Sequence, residues 1–176
     1  AKPRTLETIA IIGGGTMGAG ITRAVLRSGF DVIMIECDAD AVARGQANVA
    51  KNLDGYVSRG RMTEDQKTDL LKRFRVTTEY SELSDTDVVI EAVFEDLDVK
   101  KDVFQKLDAA MKPGAVLASN TSYLDLNQIA AFTKRPEDVV GLHFFSPAHV
   151  MRLLEIVRGD KTSDDVLATG FAFAKK

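Results

Sequence analysis

The sequence predicts an α/β fold built on a doubly wound, mainly parallel sheet. Short apolar, β-branched runs alternate along the chain with longer segments of helical period, and three consecutive glycines separate the first run from the first helical segment. A long helical insertion after the second strand is the one interruption of this alternation. Together these observations predict a Rossmann-like fold.

The first predicted unit consists of a strand, a turn, a helix and a second strand. Residues 8–12 are apolar and β-branched, as expected of a strand that is buried on both faces. A helical stripe follows from Thr16 and ends at Gly29, where glycine can close the helix. Residues 31–36 predict the second strand, which completes a βαβ unit.

The helical insertion and the remaining elements follow in order. Residues 40–59 and 63–73 predict two helices, the second opened by a capping box of Thr63 and Gln66. The later strands are predicted at 75–78, 87–92, 116–119, 139–145 and 153–157. The later helices are predicted at 99–111, at 125–132 and from Ser163 onward, with Val99, Val103, Leu107 and Met111 as the inward stripe of the first.

The two ends of the chain predict a piece of a longer polypeptide. Residues 1–7 are polar and resemble a linker, so the domain is expected to span residues 8–176. Residues 171–176 fall within a predicted helix, with no glycine cap and no further strand. We therefore expect a truncated domain that continues in the intact protein.

Composition argues against several classes of function. The 26 acidic and 23 basic residues are scattered, so nucleic acid is not an expected partner. No apolar stretch approaches the roughly 20 residues that cross a bilayer, and the first residues do not resemble the charged, apolar and small-residue pattern of a secretory signal. We expect an intracellular protein without membrane insertion, cytoplasmic in a bacterium and peroxisomal or mitochondrial in a eukaryote. Cys37 is the only cysteine, which leaves no cysteine pair for a metal, and it is expected to be a small buried side chain.

The motif Gly13-Gly14-Gly15-Thr16-Met17-Gly18 matches G-x-G-x-x-G directly after a predicted strand. Gly13 is expected to allow the tight turn, Gly15 the approach of a pyrophosphate, and Gly18 the close packing of helix against strand. Glu36 ends the second strand, where a carboxylate can bind an adenine ribose and repel a 2′-phosphate. This pattern favours NAD over NADP; a purely structural turn and an ordinary strand-end carboxylate are the alternative.

A histidine and a carboxylate fall on two later strands. His143 lies near the carboxyl end of its strand, the edge at which such sheets bind ligands, and can accept a hydroxyl proton near neutral pH. Glu155 lies in an otherwise apolar run and needs a partner. If the strands are neighbours, Glu155 can orient the imidazole as in a catalytic triad. A structural ion pair with a buried histidine is the alternative.

Four motifs resemble those of the NAD-binding domain of the 3-hydroxyacyl-CoA dehydrogenases. They are residues 12–18, then Glu91-Ala92-Val93-Phe94-Glu95 with Lys100, then Ser119-Asn120-Thr121-Ser122, and the stretch from His143 to Glu155. The last stretch most resembles the multifunctional fatty-acid oxidation enzymes, in which this domain follows an enoyl-CoA hydratase domain. Ser146 departs from the asparagine that many members of the family have there.

The resemblance implies a role for each matched residue. His143 would be the catalytic base, Glu155 its acidic partner, and Ser122 a hydrogen-bond donor to the 3-oxygen of the substrate. Residues implied at the cofactor are Gly13, Gly15, Thr16, Met17, Gly18, Glu36, Ala92, Glu95, Lys100, Asn120, Ser122 and Ser146. The alternatives are a helix cap for Ser122 and a solvated charge pair for Glu95 and Lys100.

The implied reaction is the oxidation of a (S)-3-hydroxyacyl-CoA to the 3-ketoacyl-CoA, with the hydride passing to NAD, in fatty-acid beta-oxidation. Arg59 and Arg61 could bind the phosphates of CoA, with a solvated cationic face as the alternative. The catalytic asparagine of the family and its helical, dimer-forming domain would lie beyond Lys176, so the segment is expected to bind NAD but turn over poorly. Two other functions stay open: a non-catalytic NAD-binding module, and another 3-hydroxyacid dehydrogenase with a lysine base, for which no counterpart is paired with His143.

Overall fold

The computed structural model describes residues 7–93, 96–120, 126–144 and 154–157, and in the last two strands it describes only the backbone beyond Gly141. The strands of the described part are β1 Thr8–Ile12, β2 Asp31–Ile35, β3 Phe74–Thr77, β4 Val88–Glu91, β5 Val116–Ser119, β6 Val139–Phe144 and β7 Leu154–Val157. They form one sheet in the order β3-β2-β1-β4-β5-β6-β7. Strands β1 to β6 are parallel, and β7 pairs antiparallel to β6. The predicted doubly wound, mainly parallel sheet is confirmed.

Helices cover both faces of this sheet. In the described part they are α1 Thr16–Arg27, α2 Ala39–Ser58, α3 Glu64–Leu71, α4 Leu97–Ala110 and α5 Leu126–Ala131. Alternate residues of β1 enter two separate cores: Ile9 and Ile11 pack with α1 and α2, whereas Ala10 and Ile12 pack with α4 and α5. Because side chains alternate between the faces of a strand, a strand covered on both sides must be apolar throughout.

A side-chain cap precedes each of the two helices of the insertion, and the cap at Thr63 is the predicted one. Helix α2 begins after Asp38, whose carboxylate accepts a hydrogen bond from Ala41 N at 2.8 Å. Helix α3 begins after Thr63, where Gln66 N donates to Thr63 Oγ1 at 3.1 Å and Thr63 N donates to Gln66 Oε1 at 2.9 Å. The long helical insertion after the second strand is thereby confirmed. Helix α2 begins and ends one residue earlier than predicted, whereas α3 begins one residue later and ends two residues earlier.

Two predictions about burial are wrong. Val99 is not part of the inward stripe of α4, because 38% of it is exposed, and Lys100 is the residue buried in that turn. The observed stripe is Lys100, Val103, Phe104 and Leu107, which follows helical spacing more closely. Cys37 is exposed rather than buried, because β2 ends at Ile35 and Cys37 lies beyond the sheet. Its thiol lies beside the Asp38 carboxylate, at 3.7 Å.

Several predictions fall outside the described residues. They concern the linker at residues 1–6, position 125, the strand ends at 145 and 153, and the helix from Ser163. Glu7 is described, and its N–H donates to Asp87 Oδ2 at 2.7 Å, so the chain is already tied to the sheet there. No helix in the described part has the length and apolar character that a membrane span requires.

Candidate cofactor and catalytic site

The turn between β1 and α1 requires glycine at two positions for its own geometry. Gly13 has φ 105°, and a Cβ there would lie 2.9 Å from the Ala92 carbonyl oxygen. At Gly18 a Cβ would lie 1.9 Å from the Gly13 carbonyl oxygen, so α1 can pack this closely against the turn only without a side chain. Both glycines therefore do what the sequence predicted.

Gly15 is different, because no protein atom lies within 4 Å of where its Cβ would be. Its φ is −72°, which any residue can adopt, so the chain itself does not require glycine here. Gly15 precedes α1, which has no side-chain cap and no acidic residue in its first turn. Exposed space beside uncapped N–H groups at the positive end of a helix suits a pyrophosphate. The turn thus fits the phosphates of a dinucleotide.

The carboxylate of Glu36 lies beside the same turn. Glu36 follows β2, and its N–H donates to the Thr77 carbonyl at 3.0 Å. Its Oε2 atom is 3.3 Å from where a Cβ of Gly14 would be. The half-buried carboxylate therefore lies against the glycine turn, and its contact with a ribose stays a prediction.

Two residues of α2 that support the glycine turn were not predicted. A Cβ on Gly14 would lie 2.8 Å from Gly45 Cα, so the turn and the helix touch through two glycines. Three residues further along α2, Asn48 Nδ2 donates to the Gly14 carbonyl at 2.8 Å. A glycine within a helix, where it costs stability, was the available signal for this close contact.

A buried ionic cluster lies at the carboxyl end of β4. Glu91, Lys100 and Ser119 have no exposed surface. Lys100 Nζ is 2.6 Å from Oε1 and 2.7 Å from Oε2 of Glu91, and Ser119 Oγ donates to Oε1 at 2.6 Å. The N–H of Val93 donates to Oε2 at 2.8 Å. We call these four residues the Glu91 cluster.

The Glu91 cluster changes one interpretation of the sequence. For Lys100, the alternative of a solvated charge pair is wrong, because the side chain is fully buried against Glu91. Its role at the cofactor stays a prediction. No role was predicted for Glu91 itself, although a carboxylate that ends an apolar strand is the same signal that singled out Glu155.

Other predicted cofactor residues lie on the same edge of the sheet. Ala92 N donates to the Ile12 carbonyl at 2.9 Å, and Asn120 N donates to the Glu91 carbonyl at 2.8 Å. The edge therefore brings Ala92 next to the glycine turn and Asn120 next to Glu91, with Thr16 and Met17 in the first turn of α1. Glu95, Ser122 and Ser146 lie outside the described residues. Across the described ranges, no group of three His, Cys, Asp or Glu side chains could hold a metal.

The two predicted catalytic positions face each other across neighbouring strands. In the antiparallel pair of β6 and β7, His143 and Glu155 are direct Cα partners. Strand β6 lies beside β5, so the pair belongs to the same sheet as the glycine turn. The sequence expectation that the two strands are neighbours is confirmed for the backbone; the side chains at 143 and 155 are outside the described part.

A cationic groove runs between α1 and α2. It has a volume of about 330 Å³ and is lined by Thr16, Ala19, Arg23, Asn48, Lys51, Asn52, Gly55 and Arg59. The guanidinium groups of Arg23, Arg27 and Arg59 lie 5.0, 4.4 and 5.1 Å from the centre of the Tyr56 ring. Burial is the main cause that lowers the pKa of Arg23; Tyr56 opposes it, and the charges of Arg27 and Arg59 lower the pKa further. Of the two arginines considered for CoA, both are exposed, but only Arg59 is among the residues that line the groove.

Comparison with known proteins matches residues 8–176 to a protein family described as 3-hydroxyacyl-CoA dehydrogenase, NAD binding domain. A peroxisomal fatty acid beta-oxidation multifunctional protein of Arabidopsis thaliana is 42% identical, over 99% of this chain and 25% of its own length. A 3-hydroxybutyryl-CoA dehydrogenase of Clostridioides difficile is 40% identical, over 95% of this chain and 59% of its own length.

A solved structure shows the same architecture. The (S)-3-hydroxybutyryl-CoA dehydrogenase of Ralstonia eutropha superposes with a TM-score of 0.93 at 38% identity, over 97% of this chain and 60% of that chain. In all three comparisons nearly the whole of this chain is matched, whereas it spans less than two thirds of each relative.

Proposed function

Because the chain belongs to the 3-hydroxyacyl-CoA dehydrogenase family and forms its NAD-binding domain, we propose that it serves the oxidation of (S)-3-hydroxyacyl-CoA to 3-ketoacyl-CoA. The observation that carries this proposal is the register pair of His143 and Glu155 in the sheet that also bears the glycine turn. A base with an acidic partner is what an alcohol needs in order to lose a proton as its hydride leaves.

We propose that NAD binds across the carboxyl edge of the sheet. Gly15 and the first N–H groups of α1 hold the pyrophosphate, and the Glu36 carboxylate binds the adenine ribose. When bound, the nicotinamide supplies the hydride acceptor, and the protein supplies alignment. The choice of NAD over NADP follows from the negative charge of Glu36, which repels a 2′-phosphate.

In the proposed reaction His143 accepts the proton of the 3-hydroxyl group while the hydrogen on C3 leaves as hydride. Glu155 holds the imidazole in the required tautomer and stabilises the imidazolium that forms. Ser122 donates a hydrogen bond to the 3-oxygen, and a hydroxyl suits both the alcohol and the ketone form. Glu95, Lys100, Asn120 and Ser146 complete the nicotinamide side of the site.

For the CoA part of the substrate, the cationic groove between α1 and α2 supports a role for Arg59. Arg23, Lys51 and Arg59 line the groove, and no carboxylate is among its lining residues. Guanidinium groups bind phosphate through paired hydrogen bonds, so the groove suits the phosphates of CoA.

We further propose that the chain acts within a longer polypeptide in fatty-acid beta-oxidation, with a dimer-forming helical domain after Lys176. The proposal is supported by the share of its relatives that the chain spans, 25% of a multifunctional protein and 59% of a shorter dehydrogenase. Relatives are named as peroxisomal in plants and fish and as fatty acid oxidation complex subunits in bacteria, in agreement with an intracellular site.

The test is NAD binding together with turnover. The purified chain should bind NAD⁺ in calorimetric titration but reduce it slowly with (S)-3-hydroxybutyryl-CoA, whereas the longer polypeptide should reduce it at an ordinary enzymatic rate. Ordinary turnover by residues 1–176 alone would contradict the proposed need for a further domain. A chain that binds NAD, with a longer form that oxidises no 3-hydroxyacyl-CoA, would favour the non-catalytic module instead.

A further inference from the structure

The Glu91 cluster joins three turns at the carboxyl edge of the sheet. In the sheet register Glu91 pairs with Ile12 on one side and with Ser119 on the other. The turn after β1 begins at Gly13, and the chain leaves β5 at Asn120. The Glu91 carboxylate thus lies between the glycine turn and the end of β5, on the strand between them.

The hydrogen bonds of the carboxylate reach each neighbouring segment. Its bond from Val93 N holds the backbone just after β4, and the Val93 side chain lies 3.6 Å from where a Cβ of Gly13 would be. Its bonds from Lys100 hold the first turns of α4, and its bond from Ser119 holds the end of β5. One buried carboxylate therefore fixes the relative positions of these segments.

Stability alone does not account for a buried ion pair at this place. Removing two charges from water costs several kcal/mol per ion, and apolar residues of similar volume often replace such pairs without loss. The rest of β4 is apolar, as Val88, Val89 and Ile90 show. The Glu91–Lys100 pair therefore needs an explanation other than stability, and its position in the sheet supplies one.

The topology places the Glu91 cluster under one half of the cofactor. The pyrophosphate site at Gly15 follows β1, and the ribose-binding carboxylate Glu36 follows β2, so the adenosine half extends toward β2. The other half of the dinucleotide must then extend in the opposite direction, over the ends of β4 and β5. Glu91 and Ser119 are the buried residues that end those strands.

We propose that Glu91 is a positioning residue for the nicotinamide half of the site, acting through Lys100, Ser119 and the backbone of Val93. The proposal rests on the function proposed above, since it assumes that NAD binds at this edge. Loss of the carboxylate should loosen the segments that contact the nicotinamide half, while the adenosine half keeps its contacts at Gly15 and Glu36.

Two ligands distinguish contacts to the adenosine half of the cofactor from contacts to the nicotinamide half. ADP-ribose contains the adenosine, both phosphates and the second ribose but no nicotinamide, whereas NADH contains all of these parts. Both affinities are measured by calorimetry for the purified chain and for Glu91→Gln. We expect Glu91→Gln to weaken NADH binding about tenfold, with the ADP-ribose affinity changed less than about twofold, as suits the loss of charge-assisted hydrogen bonds on one side.

Asp87→Asn is the matched control, because Asp87 precedes the same strand at its opposite end and pairs with Lys112 at 2.7 Å. It should lower the Tm without a selective effect on either ligand. If Glu91→Gln fails to fold, Ser119→Ala removes one bond to the same carboxylate and should weaken NADH binding selectively by about threefold.

Each outcome decides between the proposals. If the folded variants lose both affinities equally, or lose neither, the positioning role of Glu91 is overturned. The proposal that the unchanged chain binds NAD would still stand. Equal affinity of the unchanged chain for NADH and ADP-ribose would also overturn it, because no nicotinamide contribution would exist. Failure of the unchanged chain to bind either ligand would overturn the proposed function as well.

Discussion

His143 and Glu155 are direct partners in the antiparallel pair of β6 and β7. Residues directly opposite each other in such a pair lie on the same face of the sheet, with Cβ atoms about 4.5–5.5 Å apart in general. This register brings a histidine and a carboxylate that are 12 positions apart in the sequence to one place.

Gly15→Ala should impair the cofactor without impairing the fold. Its Cβ meets no protein atom within 4 Å and would occupy the space assigned to the pyrophosphate. We expect a loss of NAD⁺ affinity of at least about tenfold with a nearly unchanged Tm. Calorimetric titration and thermal unfolding measure the two effects.

Gly18→Ala is the contrasting variant in the same turn. Its Cβ would lie 1.9 Å from the Gly13 carbonyl oxygen, so α1 must move. We expect a loss of about 3 kcal/mol in the free energy of unfolding, at the upper end for overpacking. Equal Tm values for the two alanine variants would contradict the separate roles of Gly15 and Gly18.

Glu36→Gln should reduce the preference for NAD over NADP. The change removes the charge beside the glycine turn and keeps the shape of the side chain. We expect NAD⁺ to bind about tenfold more weakly, because a charge-assisted bond to the ribose is lost, while NADP⁺ binding is unchanged or improved. An unchanged ratio of the two dissociation constants would show that Glu36 does not select the cofactor.

Arg59→Ala should raise the KM for acyl-CoA substrates. Arg59 lines the cationic groove, whereas Arg61 does not, so Arg61 provides an equally charged and equally exposed control. We expect roughly a tenfold increase in KM for Arg59→Ala, with little change in kcat, and almost no change for Arg61→Ala. Similar effects of both substitutions would indicate general electrostatic attraction rather than a binding groove.

The stability of the sheet should depend on Asp87 in acid. Burial raises the pKa of Asp87, but the bonds from Lys112 and from the N–H groups of Thr8 and Glu7 outweigh it, so the pKa lies below its ordinary value. A carboxyl group whose pKa is lower in the folded state stabilises the fold above its unfolded pKa of about 3.9 and loses this effect as the pH falls toward the folded value.

Asp87→Asn removes that contribution. The Tm of the variant should be lower than that of the unchanged chain at neutral pH, and the difference should shrink below about pH 4. Thermal unfolding across a series of acid buffers measures it. A Tm difference that stays constant throughout the acid range would show that the Asp87 charge is not responsible.

Sequence patterns predicted the fold well where they depend on neighbours in the chain. The order of the elements follows from a period that changes between strand and helix, and the capping box of Thr63 and Gln66 needs only local spacing. The roles of Gly13 and Gly18 follow from the position of the glycine motif after a strand. The described structure confirms each of these.

The sequence did not predict features that depend on contacts between distant segments. Lys100 replaces Val99 in the inward stripe because its ammonium group meets Glu91, nine positions earlier, inside the fold. The contact of Gly14 with Gly45 depends on how α2 crosses the turn. Helical spacing alone cannot show either arrangement, since an ion pair across two elements can move a charged residue into the core.

The most direct test of the proposed catalysis is the rate of NAD⁺ reduction by His143→Gln in the longer polypeptide, with (S)-3-hydroxybutyryl-CoA as substrate. Glutamine keeps a polar side chain but cannot accept the proton. We expect the rate to fall by about a thousandfold, within the range for loss of a general base, while the affinity for NAD⁺ is unchanged. A folded variant that binds NAD⁺ normally and keeps more than about a tenth of the rate would contradict the assignment of His143 as the base.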